Sequence, residues 1–193
     1  INMSLRKDGR NIFADETDKF GLSQDAYYFI GGLMKHVYSM TAITNPLVNS
    51  YKRLVSGFEA PLHITWSVTN RSPLIRIPSS FGSGTRIELR SPDSAANPYL
   101  TIALCLAAGL DGIKNKITPP ENIQKNIFHM TEEEKEQLHI KSLPTNLYDA
   151  VCAMEKDAFI REVLGEHISN VYIGSKKDEW NRYCRAVTEW EVD

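Results

Sequence analysis

Between Leu62 and Val68 apolar and polar residues alternate without a break, with Leu62, Ile64, Trp66 and Val68 set against His63, Thr65 and Ser67. A period of two predicts a half-buried strand. Leu74-Ile75-Arg76-Ile77-Pro78 predicts a shorter one, ended by its proline and carrying one arginine among aliphatics. Arg86-Ile87-Glu88-Leu89-Arg90 predicts a third, with Ile87 and Leu89 on one face and Arg86, Glu88 and Arg90 on the other. Upstream, Ala26, Phe29, Ile30, Leu33 and Val37 recur at helical spacing behind a plausible N-cap, Ser23, so a helix is expected over 23–38. Gly31-Gly32 inside it costs about 1 kcal/mol per residue in propensity. Close approach of another element would compensate. Residues 44–61 form a long connection rich in Asn, Ser, Gly and Pro, of the kind that in compact domains is functional or disordered.

After the strands only helices are expected. Asn97 caps one, with Pro98 at its first position. Tyr99, Leu100, Ile102, Leu104 and Leu106 make that helix apolar nearly all round, which predicts burial on every side. Thr131 to Glu134 makes a capping box for a short acidic helix. From Asp157 onward two helices meet at Gly165, the second with Ile168, Tyr172, Trp180, Tyr183 and Val187 on one stripe. The fold expected is α+β: a curved antiparallel sheet with one polar face, packed on helices, followed by a helical C-terminal region.

At 193 residues the chain is long enough for one domain with a real core. Lys and Arg number 22 against 24 Asp and Glu, so charge suggests neither a nucleic acid nor an anionic membrane as partner. Cys105, Cys152 and Cys184 are odd in number and far apart, which fits a reducing, cytoplasmic setting and argues against a disulfide framework or a structural zinc site. Cys105 sits in an apolar run and reads as inert core. The longest nearly apolar stretch, Pro98 to Leu110, is too short to span a bilayer. Ile1 reads as a strand entered in mid-run and the last residues carry no helix stop, so a piece of a longer polypeptide is expected.

The polar faces of the three strands carry the chemistry. Arg86 and Arg90 lie roughly 13 Å apart with Glu88 midway, Arg76 stands on the neighbouring strand, and Arg71 occupies the turn Asn70-Arg71-Ser72-Pro73. Alternation with charges is ordinary for a half-buried strand. Four arginines around one acid are not. Guanidinium forks suit carboxylates and phosphates, and a carboxylate is a hard oxygen ligand for Mg²⁺ or Mn²⁺. His63 is on the same kind of face without a second ligand at metal spacing, and reads as a hydrogen-bonded wall residue. His36, His129, His139 and His167 are scattered and suggest no role.

A set of segments in one order then carries a resemblance. Asn45-Pro46-Leu47-Val48-Asn49-Ser50-Tyr51-Lys52-Arg53-Leu54 is followed by Gly57-Phe58-Glu59-Ala60-Pro61, Asn70-Arg71-Ser72, Arg86-Ile87-Glu88-Leu89-Arg90, Ala95-Ala96-Asn97-Pro98-Tyr99-Leu100 and 108–116. Together they resemble the C-terminal part of a bacterial type I glutamine synthetase, densely over 1–119, the C-terminal half of the catalytic domain, and more loosely over 120–193, its helical C-terminal region. Any one motif is weak; the ordered set is specific.

The resemblance implies ATP-dependent joining of ammonia to L-glutamate through a γ-glutamyl phosphate. Glu88 matches a ligand of the Mg²⁺ or Mn²⁺ that bridges the ATP phosphates. Arg53, Arg71 and Arg90 match positions that hold glutamate. Arg71 and Arg76 match contacts to the nucleotide phosphates and the transferring phosphoryl group, Arg86 a further ATP contact, and Asn2 and Ser4 the nucleotide-contacting end of a glycine-rich signature. Glu59 matches the acid of a mobile flap that binds substrate, closes the site and takes a proton from ammonium. Implied partners are glutamate, ammonia and ATP, and a homo-oligomer, a dodecamer of two hexameric rings.

Departures from the family pattern also register. The loop Ser79-Ser80-Phe81-Gly82-Ser83-Gly84-Thr85 has no basic residue where many relatives place one near the nucleotide. Most of the family's metal-binding carboxylates precede Ile1. A relative that ligates glutamate to a polyamine or another amine, and a non-catalytic assembly module, are the alternatives. The tyrosine that some relatives adenylylate is matched by Phe128 rather than Tyr148, so no such control is expected and Tyr148 reads as structural.

Overall fold

The computed structural model describes residues 1–55, 60–68 and 70–192. Two small sheets and a set of helices share one hydrophobic core that runs from Phe13 to Ile173. Strands β1 (Asn2–Met3), β4 (Trp66–Ser67), β5 (Ile75–Arg76) and β6 (Ile87–Leu89) form a sheet in the order β1-β6-β5-β4. Strands β2 (Arg6–Lys7) and β3 (Arg10–Asn11) form a separate hairpin whose turn puts Asp8 and Gly9 at positive φ.

The expected antiparallel pairing holds for β1 with β6 and for β6 with β5. It is corrected at the other edge, where β4 and β5 run parallel. Parallel neighbours normally need a long crossover; strands of two residues allow the intervening loop to double back. The alternating run 62–68 therefore does not act as one strand. Its first half pairs elsewhere, with Ile64 donating to the Lys141 carbonyl and Leu143 donating to that of Leu62, each at 2.7 Å. Only Trp66 and Ser67 reach the sheet, and both are buried.

Helix α1 (Gln24–Thr44) starts where expected, the Ser23 side chain accepting from the Ala26 amide, and runs six residues past Tyr38. It crosses α3 (Pro98–Asn115) at its glycines. A Cβ on Gly32 would overlap the Ala108 carbonyl oxygen, and one on Gly112 would overlap that of Tyr28 and come within 2.8 Å of the Gly32 Cα. The propensity cost of Gly31-Gly32 is thus offset by close backbone approach, of α3 at Gly32 and of the Ile117 carbonyl just past α3 at Gly31.

Helix α3 departs from its expected all-round burial. Leu104, Cys105 and Ala108 are buried, but Tyr99 is 83% and Ile102 56% exposed, with Leu106 and Leu110 also open. The helix packs along one stripe, and the apolar residues on its far side stay largely open. Burial pushes the Cys105 thiol up to about 11, as inert core requires.

The remaining helices are α2 (Ser50–Arg53), α4 (Glu132–Gln137, with the expected capping box), α5 (Leu147–Lys156), α6 (Ala158–Leu164), α7 (Glu166–Arg185) and α8 (Glu189–Val192). Gly165, at φ +80°, separates α6 from α7 as expected. The expected stripe of α7 holds in part: Tyr172 and Trp180 pack against the core beside the buried Ser169 and Ile173, while Ile168, Tyr183 and Val187 are exposed. Leu147 and Val151 face inward, and the half-exposed Tyr148 ring stacks against Trp180. No helix among the described residues is long and apolar enough to cross a membrane.

His36 has a structural place. Buried on α1 and stacked on Phe159, it meets Asp111 of α3 at 2.8 Å, where Lys35 and Asn115 also bond that carboxylate. Hydrogen bonds from His36 and Lys35 lower the Asp111 carboxyl to about 2. A depressed carboxylate contributes stability above its unfolded value that is lost as pH falls through the folded one. The difference in Tm between wild type and Asp111→Asn should therefore be full at neutral pH and shrink between about pH 4 and pH 2. A difference that stays constant over that window contradicts the linkage.

Candidate active site

The cross-strand register builds the site. Asn2 lies opposite Glu88, Glu88 opposite Arg76, and Arg76 opposite Ser67, so one row of polar side chains crosses all four strands. Ile87 and Leu89 flank Glu88 on the other face and are fully buried. Alternation along β6 sets Arg86 and Arg90 at the two ends of the same polar face.

At the centre, Arg76 Nε and Glu88 Oε2 approach to 2.6 Å. Both atoms are shielded from solvent, yet neither makes a hydrogen bond, because the N–H is not aligned on the oxygen. The pair is a charge contact with unused hydrogen-bonding capacity. A buried carboxylate oxygen of this kind fits one coordination position of a hard divalent cation. It fits only one. Among the described residues no three His, Cys, Asp or Glu side chains gather to hold a metal.

Around the Arg86 end, Nε donates to Asn2 Oδ1 at 3.1 Å, and Nη1 donates to Ser80 Oγ at 2.8 Å and the Gly84 carbonyl at 3.2 Å. At the Arg90 end, Nη1 donates to the carbonyls of Arg71 and Pro73. That ties β6 to the turn carrying Arg71. The turn is braced from both sides. Asn70 Oδ1 accepts from the Ser72 amide and hydroxyl, and Asn70 Nδ2 donates to the Ile123 carbonyl at 3.0 Å. Arg71 itself is exposed.

Arg53, in the last turn of α2, donates through Nη2 to the Ser91 carbonyl, and its Nε has no partner among the described residues. Buried Asn45, just past α1, donates to the same carbonyl at 2.8 Å. Two side chains of the long connection thus converge on the residue that leaves β6. Two cavities open on this face. One of about 500 Å³ is lined by Arg53, Glu88, Arg90, Ala60 and Pro92, and a smaller one of about 190 Å³ by Asn70, Arg71, Arg76 and Ser79. Larger clefts of about 700 and 640 Å³ lie elsewhere, lined mainly by the 117–125 segment and α1, and touch none of these arginines.

Of the candidate residues, the structure brings together Asn2, Arg76, Arg86, Glu88 and Arg90 on one face, with Arg53 beside Glu88 and Arg90. Arg71 shares the smaller cavity with Arg76, and exposed Ser4 continues β1 toward the Arg86 end. Glu59 lies outside the described residues. Sequence reasoning passed over Asn11, whose Nδ2 donates to the Thr85 carbonyl at 2.7 Å and to those of Gly82 and Ser83 at 3.3 Å. Nothing in a lone Asn after a hairpin turn signals that reach. His63 is hydrogen-bonded as expected, its Nδ1 3.0 Å from Ser142 Oγ, but it lines neither cavity of the polar face. Burial, with Lys135 nearby, lowers its imidazole from the usual value.

Arginine forks spaced around one hard-oxygen ligand can pair with carboxylate and phosphate groups. The family profile described as glutamine synthetase, catalytic domain, matches residues 1–193. The glutamine synthetase of Clostridium saccharobutylicum is 52% identical over 193 residues, which is 100% of this chain and 44% of that protein. That of Methanosarcina mazei is 55% identical over 191 residues, covering 99% of this chain and 43% of its own length. Among solved structures, the GmaS/ADP complex in conformation 1 matches with a TM-score of 0.86 at 40% identity, over 98% of this chain and 44% of that one. The chain belongs to the glutamine synthetase family, within the catalytic domain, and spans less than half the length of the curated relatives it matches.

Proposed function

We propose that the full-length protein ligates ammonia to L-glutamate, using ATP to form a γ-glutamyl phosphate. The observation that carries this reading is the row Asn2–Glu88–Arg76 with a cavity holding Arg53 and Arg90 beside it. In this reading glutamate occupies that cavity, its carboxylates facing the guanidinium groups of Arg53 and Arg90. Arg76 and Arg71 face the γ-phosphoryl group, where fixed positive charge offsets charge developing in transfer. A γ-carboxylate oxygen of glutamate attacks that phosphorus and ADP leaves; ammonia then attacks the acyl carbon and phosphate departs. Glu88 would give one oxygen to a Mg²⁺ or Mn²⁺, which supplies charge neutralisation and alignment of the phosphates when bound. Glu59 is assigned, by resemblance alone, to accept the proton from ammonium. In this reading the remaining metal ligands and most of the ammonium pocket lie in the part of the relatives that this chain does not span. A homo-oligomeric, cytoplasmic enzyme completes the reading.

The test is an assay of the full-length protein for glutamine and phosphate released from glutamate, ammonia and ATP, run beside residues 1–193 alone. The full-length protein should form both products in equal amounts and the isolated chain neither, because one carboxylate is a poor site for a divalent ion. Product from a polyamine but not from ammonia would favour a different acceptor. Turnover by residues 1–193 alone would overturn the division of the site.

A further inference from the structure

We propose that Phe81 is the base-stacking residue of the nucleotide subsite, the flat surface on which a purine ring rests. The proposal deepens the ATP-dependent reading above and rests on it. The polar face has a direction. Its Arg90 end carries the cavity with Arg53, and Glu88 and Arg76 stand at the centre. Roughly 7 Å further along the strand is Arg86. A nucleotide with its phosphates at the centre and the acceptor acid at the Arg90 end points its base toward the Arg86 end.

At that end Ser80 bonds Arg86, and the next residue is Phe81, 70% exposed. An aromatic side chain this open gains nothing from the core. Nor does it stand on a loose loop. Three carbonyls of 82–85 accept from Asn11 Nδ2, and the Ser80 hydroxyl donates to the Gly84 carbonyl at 2.7 Å. The ring itself rests on Gly21, at φ +71°, where a Cβ would come within 2.7 Å of Phe81 Cδ1. The residues 79–85 contain no basic side chain, so the loop offers a base no charge. What it offers is a π-surface held in position on the loop that Ser80 ties to Arg86. Planar heteroaromatic rings are what such a surface recognises, and they stack without demanding particular hydrogen bonds.

The experiment measures binding of ADP and of inorganic tripolyphosphate, each with Mg²⁺, to the full-length protein by calorimetry. In Phe81→Ala, ADP binding should weaken about tenfold, the scale of losing one stacked base. Tripolyphosphate has no base and should bind as it does to wild type. Phe81→Trp should retain ADP affinity, and ADP should quench its new indole fluorescence. An ADP affinity unchanged in Phe81→Ala overturns the assignment, as does an equal loss for ADP and tripolyphosphate. Wild-type protein that binds no ADP would overturn the ATP-dependent reading as well, which separates the two failures. Because the side chain is exposed, the variants should melt with wild type, and a lowered Tm would identify the residue as structural instead.

Discussion

Gly112→Ala should cost the full-length protein at least about 3 kcal/mol of stability, at the upper end of overpacking effects, and lower its Tm by about three degrees or more. The cause is backbone against backbone. A methyl group at 112 would overlap the Tyr28 carbonyl oxygen and press on the Gly32 amide at 2.7 Å. No rotamer can relieve that clash. Helices α1 and α3 would have to separate, unpacking Phe29, Leu33, Leu104 and Ala108, all essentially fully buried. Gly174→Ala is the control. It lies inside α7, and a methyl group there would meet nothing within 4 Å. Alanine at 174 should be neutral or gain about 0.5–1 kcal/mol from helix propensity. Scanning calorimetry of the two variants decides the matter. Equal melting temperatures would show that the helix crossing is not held at its glycines.

Glu88→Gln should lower turnover by at least about a hundredfold, as for loss of one preorganised electrostatic group, while leaving the fold intact. Glutamine keeps the shape and one oxygen but removes the charge that faces Arg76 at 2.6 Å. The side chain is partly buried on the polar face of β6, and glutamine has its shape, so little packing changes. Titration with Mn²⁺ should show affinity weakened about tenfold or more, with Tm close to wild type. Unchanged metal affinity with unchanged activity would remove Glu88 from the site. A collapsed Tm would mean that the Arg76 contact is chiefly structural.

The chemistry of the polar face was legible in the residues because a strand has no choice about alternation. Given Ile87 and Leu89 in the core, Arg86, Glu88 and Arg90 must share the other side. Helix starts were equally legible, since Ser23, Asn97 and Thr131 satisfy amide groups only a few residues away. The paired glycines of α1 announced a close approach without naming its partner, which lies about eighty residues further along the chain.

What depended on distant partners was not legible. The run 62–68 has the period of one strand, but segment 141–143 takes its first half and β5 its second, in parallel. Helix α3 has apolar residues all round, and its contacts with α1 and α6 select which of them are buried. Asn11 reaches the loop 82–85, and Arg90 reaches the turn at Arg71 and Pro73, through hydrogen bonds that no local spacing encodes. By itself, then, the order of residues determined the periodicities, the caps, the charge row on β6 and the family resemblance, because each is set within a few residues. Tertiary structure decided the mixed sheet, the helix faces that are buried, and the convergence of Arg53, Arg76, Glu88 and Arg90. Those depend on which of several sterically possible partners arrives, and long-range backbone pairing and side-chain packing settle that choice together.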